Sequence, residues 1–92
     1  MAHVPHYVYM LQCSDGAYYV GYTTEVARRV REHNASSKGA KYTRGRRPVT
    51  LVYYVELKSR SEALKYEYVL RKKSRVKKEK LAKEFKENHV LL

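Results

Sequence analysis

The strongest constraint on the fold is a pair of β-forming strings with a turn signal between them. HYVYMLQC, His6–Cys13, is rich in valine and tyrosine, and AYYVGYT, Ala17–Thr23, repeats that character. Such residues suit a pleated, half-buried surface. Ser14-Asp15-Gly16 lies between them, with a glycine to supply a positive φ where the turn needs one. The two strings therefore read as an antiparallel hairpin. Side chains alternate faces along a strand, so Tyr9 and Tyr19 can share one surface if the register allows. Gly21, inside the second strand, marks a bulge or a close backbone approach.

Thr24 is the expected N-cap of a first helix, with Glu25 in its first turn and an end near Asn34. Ala35–Arg47 reads as a basic loop that Pro48 breaks. Val49–Leu57 (VTLVYYVEL) is the strongest strand signal, and its near-continuous apolar character predicts a central strand covered on both faces. Ser61 is the expected N-cap of a second helix running to about Lys73. Ser74 caps a third, from Arg75 to about Lys86. The tail Asn88–Leu92 is expected to fray or to dock through its leucines. The order β-β-α-β-α-α predicts a small α/β sandwich, with a central three-stranded, mostly antiparallel sheet flanked by helices. Ninety-two residues make one domain, with its core over about 6–75 and a basic C-terminal helix over about 75–86.

Charge narrows the partner. Twenty Lys and Arg against nine Asp and Glu give a net +11, which points to a polyanion, nucleic acid first. The run Arg71–Lys86 adds nine of those cations against two glutamates. No helix pairs a wide apolar face with a basic one, so no membrane partner is expected. No apolar run reaches the length of a span, the N-terminus has no signal-peptide core, and a cytoplasmic location is expected. Cys13, the single cysteine, excludes an intramolecular disulfide and reads as a small buried apolar residue. Ten tyrosines, one phenylalanine and no tryptophan make a chain whose aromatic groups can line a site as well as fill a core.

Two helical positions carry chemistry. Arg29 and His33 are four apart, so they are neighbours at the border of the first helix's sheet-facing stripe. An arginine there can stabilise charge on a phosphate. On the second helix Ala63, Glu67 and Leu70 share one face, with Leu64 beside them. A carboxylate in such a stripe is costly unless it is paired, with Arg29 or a lysine, or holds a metal. Glu62, about 140° away around the helix, reads as a macrodipole partner in the first turn. Tyr42, among Lys41, Arg44, Arg46 and Arg47, fits phosphate contacts with base or sugar stacking.

The same residues carry a family resemblance. YVY, nine residues, then YVG resembles the paired motif of the GIY-YIG nuclease superfamily, and Arg29 follows Tyr19 at the superfamily's spacing. YVGYTTEVARRVREHN, KGAKYTRGRRP and RSEALKYEYVLRK then follow in the family's order, so the match covers roughly residues 6 to 75. It is closest in kind to the small stand-alone single-domain bacterial members. The resemblance implies a metal-dependent endonuclease acting on nucleic acid, DNA before RNA, with Mg²⁺ or Mn²⁺ bound as a single cation together with substrate. It implies that Tyr9 positions or deprotonates the water and that Tyr19 shapes the pocket. Arg29 and His33 then stabilise the developing charge, and Glu67 is the sole protein ligand of the metal. Gly21, Lys41, Tyr42, Arg44, Arg46, Arg47, Lys72 and Lys73 are the expected substrate contacts. Weak self-association or a place in a larger nucleic-acid complex is a further expectation.

The chain departs from the family at three points. Tyr7 stands where a glycine is usual, Tyr22 where some members have lysine, and SRVKKEKL replaces a stretch that often holds an asparagine. Two alternatives follow: a binding module on the same fold without turnover, or a basic adaptor for an acidic protein.

Overall fold

The computed structural model describes residues 3–89. Its elements are β1 (His6–Gln12), β2 (Tyr18–Thr23), α1 (Val26–Ala35), α2 (Lys41–Arg44), β3 (Thr50–Leu57), α3 (Arg60–Lys72) and α4 (Arg75–His89). The three strands form one sheet in the order β2-β1-β3. Both pairings are antiparallel, as the hairpin pattern requires. Gly16 takes a φ of 88°, and Asp15 Oδ1 accepts the Ala17 N–H at 3.1 Å, so each turn residue does what its chemistry favours.

Alternation along β1 sorts the core into two layers. Val8 and Met10 point to one face, where Val20, Ala63 and Leu70 pack against them. Tyr9 and Leu11 point to the other, with Cys13, Val49 and, from α1, Val30. The sheet is thus covered by α3 and α4 on one side and by α1 on the other.

Several local expectations are corrected. β3 is an edge strand and β1 is central. The apolar run in β3 is explained by cover from α4 and by aromatic contact across the strand. Tyr53 and Tyr54 both meet Phe85, at ring separations of 5.7 and 5.3 Å. The N-cap of α1 is Glu25, not Thr24, and its side chain makes no capping bond; the Thr23 hydroxyl accepts the Glu25 N–H at 3.1 Å in the turn before the helix. The N-cap of α3 is Ser59, not Ser61. Its Oγ accepts the Glu62 N–H at 3.1 Å, and Ser59-x-x-Glu62 is the spacing of a capping box. Ser74 does start α4, accepting the Lys77 N–H at 3.2 Å. Leu64 is 40 % exposed rather than part of the buried stripe. The basic loop contains α2, and α4 continues past Lys86 to His89. Of the expected tail, Asn88 and His89 are helical, and 90–92 lie outside the described residues.

Candidate active site

The register of the hairpin builds the site's floor. Tyr9 lies opposite Gly21, and Tyr19 lies opposite Leu11, so both tyrosines project from the α1 face. Their rings are 6.4 Å apart. Gly21 has a steric role here: a Cβ on it would stand 2.5 Å from the Tyr9 hydroxyl. The Tyr9 side chain therefore lies directly over the backbone of β2.

From α1, His33 completes the cluster. It is fully buried, 5.8 Å from the Tyr9 ring and 5.0 Å from the Tyr19 ring. Its Nε2 is 2.7 Å from the Tyr9 hydroxyl and its Nδ1 is 2.9 Å from Thr43 Oγ1. Thr43, also fully buried, donates to the Ala40 carbonyl at 3.0 Å. Burial drives the His33 pKa down to about 4, and the nearby Arg29 charge acts in the same direction. The imidazole is therefore neutral at physiological pH. Burial, seconded by the Tyr19 hydroxyl, holds the Tyr9 phenol well above its ordinary range, and Arg29 opposes this. Tyr19 is raised for the same first reason, with Arg29 again opposing. Arg29 itself is held by Glu32 Oε1 at 2.9 Å and by the Lys38 carbonyl at 2.8 Å.

Glu67 comes from the other side of the sheet. The helix that carries it covers Val8, Met10 and Val20, yet its carboxylate reaches the rim of β2. There a cavity of about 270 Å³ is lined by Tyr18, Tyr19, Tyr42, Glu67, Arg71 and Lys78. The negative charge of Glu67 reaches both phenols, raising Tyr9 and Tyr19. Among the described residues Glu67 has no ion-pair partner, which removes the expected pairing with Arg29 or a lysine.

The basic residues divide differently from expectation. Arg47 donates to the carbonyls of His33 and Ser36, both at 2.6 Å, and so caps the C-terminus of α1. Arg46 pairs with Asp15 at 2.9 Å and lies 4.1 Å over the Tyr42 ring. Arg44 donates to the Ser37 carbonyl at 3.1 Å. These three arginines hold the loop in shape, whereas Lys41 is exposed. Tyr42 is stacked on Tyr19 at 5.9 Å besides carrying Arg46, so its ring already has partners. Lys72 stands 5.4 Å from the Tyr68 ring, and Lys73 lines a separate groove with Lys77 and Lys80. Arg71 and Lys78, rather than the expected Lys72 and Lys73, line the cavity. Arg71 was within reach of sequence reasoning, being four residues past Glu67 on one helix face. Thr43 carried no such signal, because only the return of α2 against α1 brings it to His33.

Comparison with known proteins assigns the family. The family model described as the GIY-YIG catalytic domain matches residues 5–80. The chain belongs to the GIY-YIG family, a family of nucleases. A UPF0213 protein of Halobacterium salinarum is 58% identical over 76 residues, covering 83% of this chain and 97% of its own length. A second, from Desulfotalea psychrophila, is 53% identical and covers 84% of this chain and 70% of the relative. Among solved structures, the solution NMR structure of a UPF0213 protein from Bacillus halodurans has a TM-score of 0.54 at 53% identity, over 86% of this chain and 83% of that one. The NMR structure of an Enterococcus protein (E. faecalis) has a TM-score of 0.59 at 48% identity, over 88% and 85%.

Proposed function

We propose that this domain is a divalent-metal-dependent endonuclease that hydrolyses phosphodiester bonds in DNA. The observation that carries the proposal is the cavity at the β2 edge. There Glu67, from one face of the sheet, meets Tyr19 and Tyr42 from the other, and among the described residues no lysine or arginine forms a salt bridge with its carboxylate.

The residues fit a divalent cation of one kind. No cluster of three or more His, Cys, Asp or Glu exists among the described residues, so the chain offers no closed cage. One carboxylate open to a cavity suits Mg²⁺, which keeps waters and takes its remaining ligands from substrate oxygens. Glu67 would hold the ion, which when bound neutralises charge on the phosphate and leaving oxygen. Arg29, buttressed by Glu32, sets a fixed positive charge beside the phenols, where a phosphate gathers negative charge in the transition state. Arg71 and Lys78 supply two further cations for the backbone entering the cavity. Tyr9 takes up the proton of the attacking water. Tyr9 is only 1 % exposed beside Tyr19 and His33, so this role requires its hydroxyl to be uncovered when substrate binds. The buried Tyr9 hydroxyl also supports a second reading, a binding module without turnover.

Cleavage of supercoiled, branched and single-stranded DNA in Mg²⁺, Mn²⁺ or EDTA decides between them. Nicking that needs metal and is abolished by Glu67→Gln, with DNA affinity kept, is the expected result. Phosphate contacts elsewhere carry most of the affinity, so binding should survive. Binding without cleavage on every substrate leaves the second reading.

A further inference from the structure

The chain Tyr9–His33–Thr43–Ala40 is continuous, buried and directional. Its direction follows from proton counting. The Ala40 carbonyl can only accept, and it takes the single hydroxyl proton of Thr43 at 3.0 Å beside the Thr43 N–H at 3.1 Å. Thr43 Oγ1 then has only lone pairs for His33 Nδ1, 2.9 Å away, and that nitrogen carries the imidazole's proton. The Ala40 N–H also points at Nδ1, but at 3.5 Å it is a much longer and weaker contact than the 2.9 Å one to Thr43. His33 Nε2 is left bare and faces the Tyr9 hydroxyl at 2.7 Å, so Tyr9 is the donor.

From this geometry we infer that Thr43 is a positioning residue, which holds His33 in the Nδ1–H tautomer so that Nε2 can receive the Tyr9 proton. The inference rests on the nuclease reading above and gives its general base a route. A tyrosinate need never form. A water proton passes to the Tyr9 oxygen as the Tyr9 proton passes to Nε2. The water oxygen forms the new P–O bond, the bond to the leaving oxygen breaks, and that oxygen takes a proton from solvent. His33 ends with both nitrogens protonated, and Thr43 Oγ1 still accepts from Nδ1. His33 then returns its extra proton to solvent through Tyr9, which restores the starting state. With the opposite tautomer Nε2–H would donate to Tyr9, and the phenol could pass its proton nowhere inside the site.

The test separates this inference from the nuclease reading. Long-range ¹H–¹⁵N correlation of the histidine rings reports the His33 tautomer directly, with no cleavage needed. The wild-type domain is expected to show Nδ1–H, and Thr43→Val, which cannot accept a hydrogen bond, is expected to show Nε2–H. Thr43→Ser should keep Nδ1–H. In the cleavage assay Thr43→Val should lose about 10²-fold in kcat with KM little changed, as for loss of general-base catalysis. Thr43→Ser should recover to within a few-fold. A wild-type Nε2–H signal, a Thr43→Val domain that keeps Nδ1–H, or an unchanged kcat after the switch would each overturn the inference. If Thr43→Val does not fold, the wild-type and serine spectra still decide it. If the wild-type domain does not cleave, the nuclease reading falls while the tautomer spectra judge Thr43 on their own.

Discussion

The two faces of the sheet are built on opposite principles, and the contrast separates what holds this chain together from what it does. On the α3 side the buried residues are Val8, Met10, Val20, Ala63 and Leu70. Polar atoms there sit at the margin, as in the Tyr53–Tyr66 hydroxyl pair at 3.0 Å. On the α1 side the fully buried set includes a histidine, a threonine and a tyrosine hydroxyl joined in one hydrogen-bonded line. Burying polar groups is tolerable only when each is satisfied, and losing one partner leaves the other exposed to the full desolvation cost, about 1–3 kcal/mol. An apolar filling would be simpler. The α1 face therefore keeps an arrangement that stability alone does not call for.

The largest expected effect breaks the apolar face. Leu70 is 0 % exposed, and Leu70→Ala should destabilise the domain by about 2–5 kcal/mol. Cleavage per folded molecule should remain near wild type below the melting temperature, which is read by pairing a thermal melt with an initial rate. A specific loss of activity with stability unchanged would mean that the two faces are not separable in this way.

The next effect belongs to the polar face and depends on pH. His33 is held near a pKa of about 4 against an ordinary 6.5 by burial first and Arg29 second, with Arg47 adding to the depression and Glu32 opposing it. The unfolded chain therefore takes up a proton below 6.5 that the folded chain refuses until about 4. Stability from the neutral, hydrogen-bonded ring is fully present above pH 6.5 and is lost as pH falls from there to about 4. The size is of order 3 kcal/mol, at about 1.4 kcal/mol for each pKa unit. Glu32 and Asp15 have lowered carboxylate pKa values, so their contributions begin to fade only as pH falls into the ordinary carboxylate range, at the acid end of this window and below it. Thermal melts from pH 4.5 to 7 should show a steep dependence that His33→Gln flattens. An equally steep dependence in the mutant would place the titrating group elsewhere.

A third effect tests the seam between the strands. Gly21→Ala would put a Cβ 2.5 Å from the Tyr9 hydroxyl and 2.6 Å from its Cζ. Tyr9 cannot step aside while His33 holds its hydroxyl, so the substitution should cost about 1–3 kcal/mol, as overpacking does. Cleavage should fall with it. Gly45→Ala, where nothing lies within 4 Å of the added carbon, is the control and should be close to neutral.

Which parts of this were legible in sequence follows from how local each signal is. The hairpin, the antiparallel sheet and the turn at Ser14–Gly16 rest on alternation and turn chemistry over a few residues, and they stood. The central strand was misassigned because an apolar run reports burial, not position in the sheet. Val52, Tyr53 and Val55 are covered from the α4 side, whereas Val49 and Leu51 pack on the α1 side, and sequence pattern cannot place either helix. Helix caps shift by one or two residues from the expected ones: Glu25 starts α1 instead of Thr24, and Ser59 caps α3 instead of Ser61. At the site, motif spacing brought out Tyr9, Tyr19, Arg29, His33 and Glu67. The basic residues were read from charge alone, and charge does not say which guanidinium faces inward. Arg46 and Arg47 hold the loop, and Thr43 reaches His33 only because α2 returns against α1.

The smallest effect sharpens where the two faces meet. Lys78 starts from α4, on the apolar side of the sheet, yet it lines the cavity with Tyr19 and Tyr42 from the other side. Its ammonium donates to the Arg71 carbonyl at 3.1 Å, and burial lowers its pKa. Lys72, one of the expected substrate contacts, stands outside the cavity beside Tyr68. If bound DNA crosses the β2 edge, Lys78 touches a phosphate and Lys72 does not. Each phosphate contact adds about 0.9 to the slope of log affinity against log salt for duplex DNA. Lys78→Met should therefore reduce that slope by roughly one, and Lys72→Met should leave it within error. Fluorescence anisotropy across a range of NaCl measures both. A slope that falls for Lys72→Met and holds for Lys78→Met would move the DNA onto the outer face of α3, away from Tyr19 and Glu67, and the cavity could then no longer be its path.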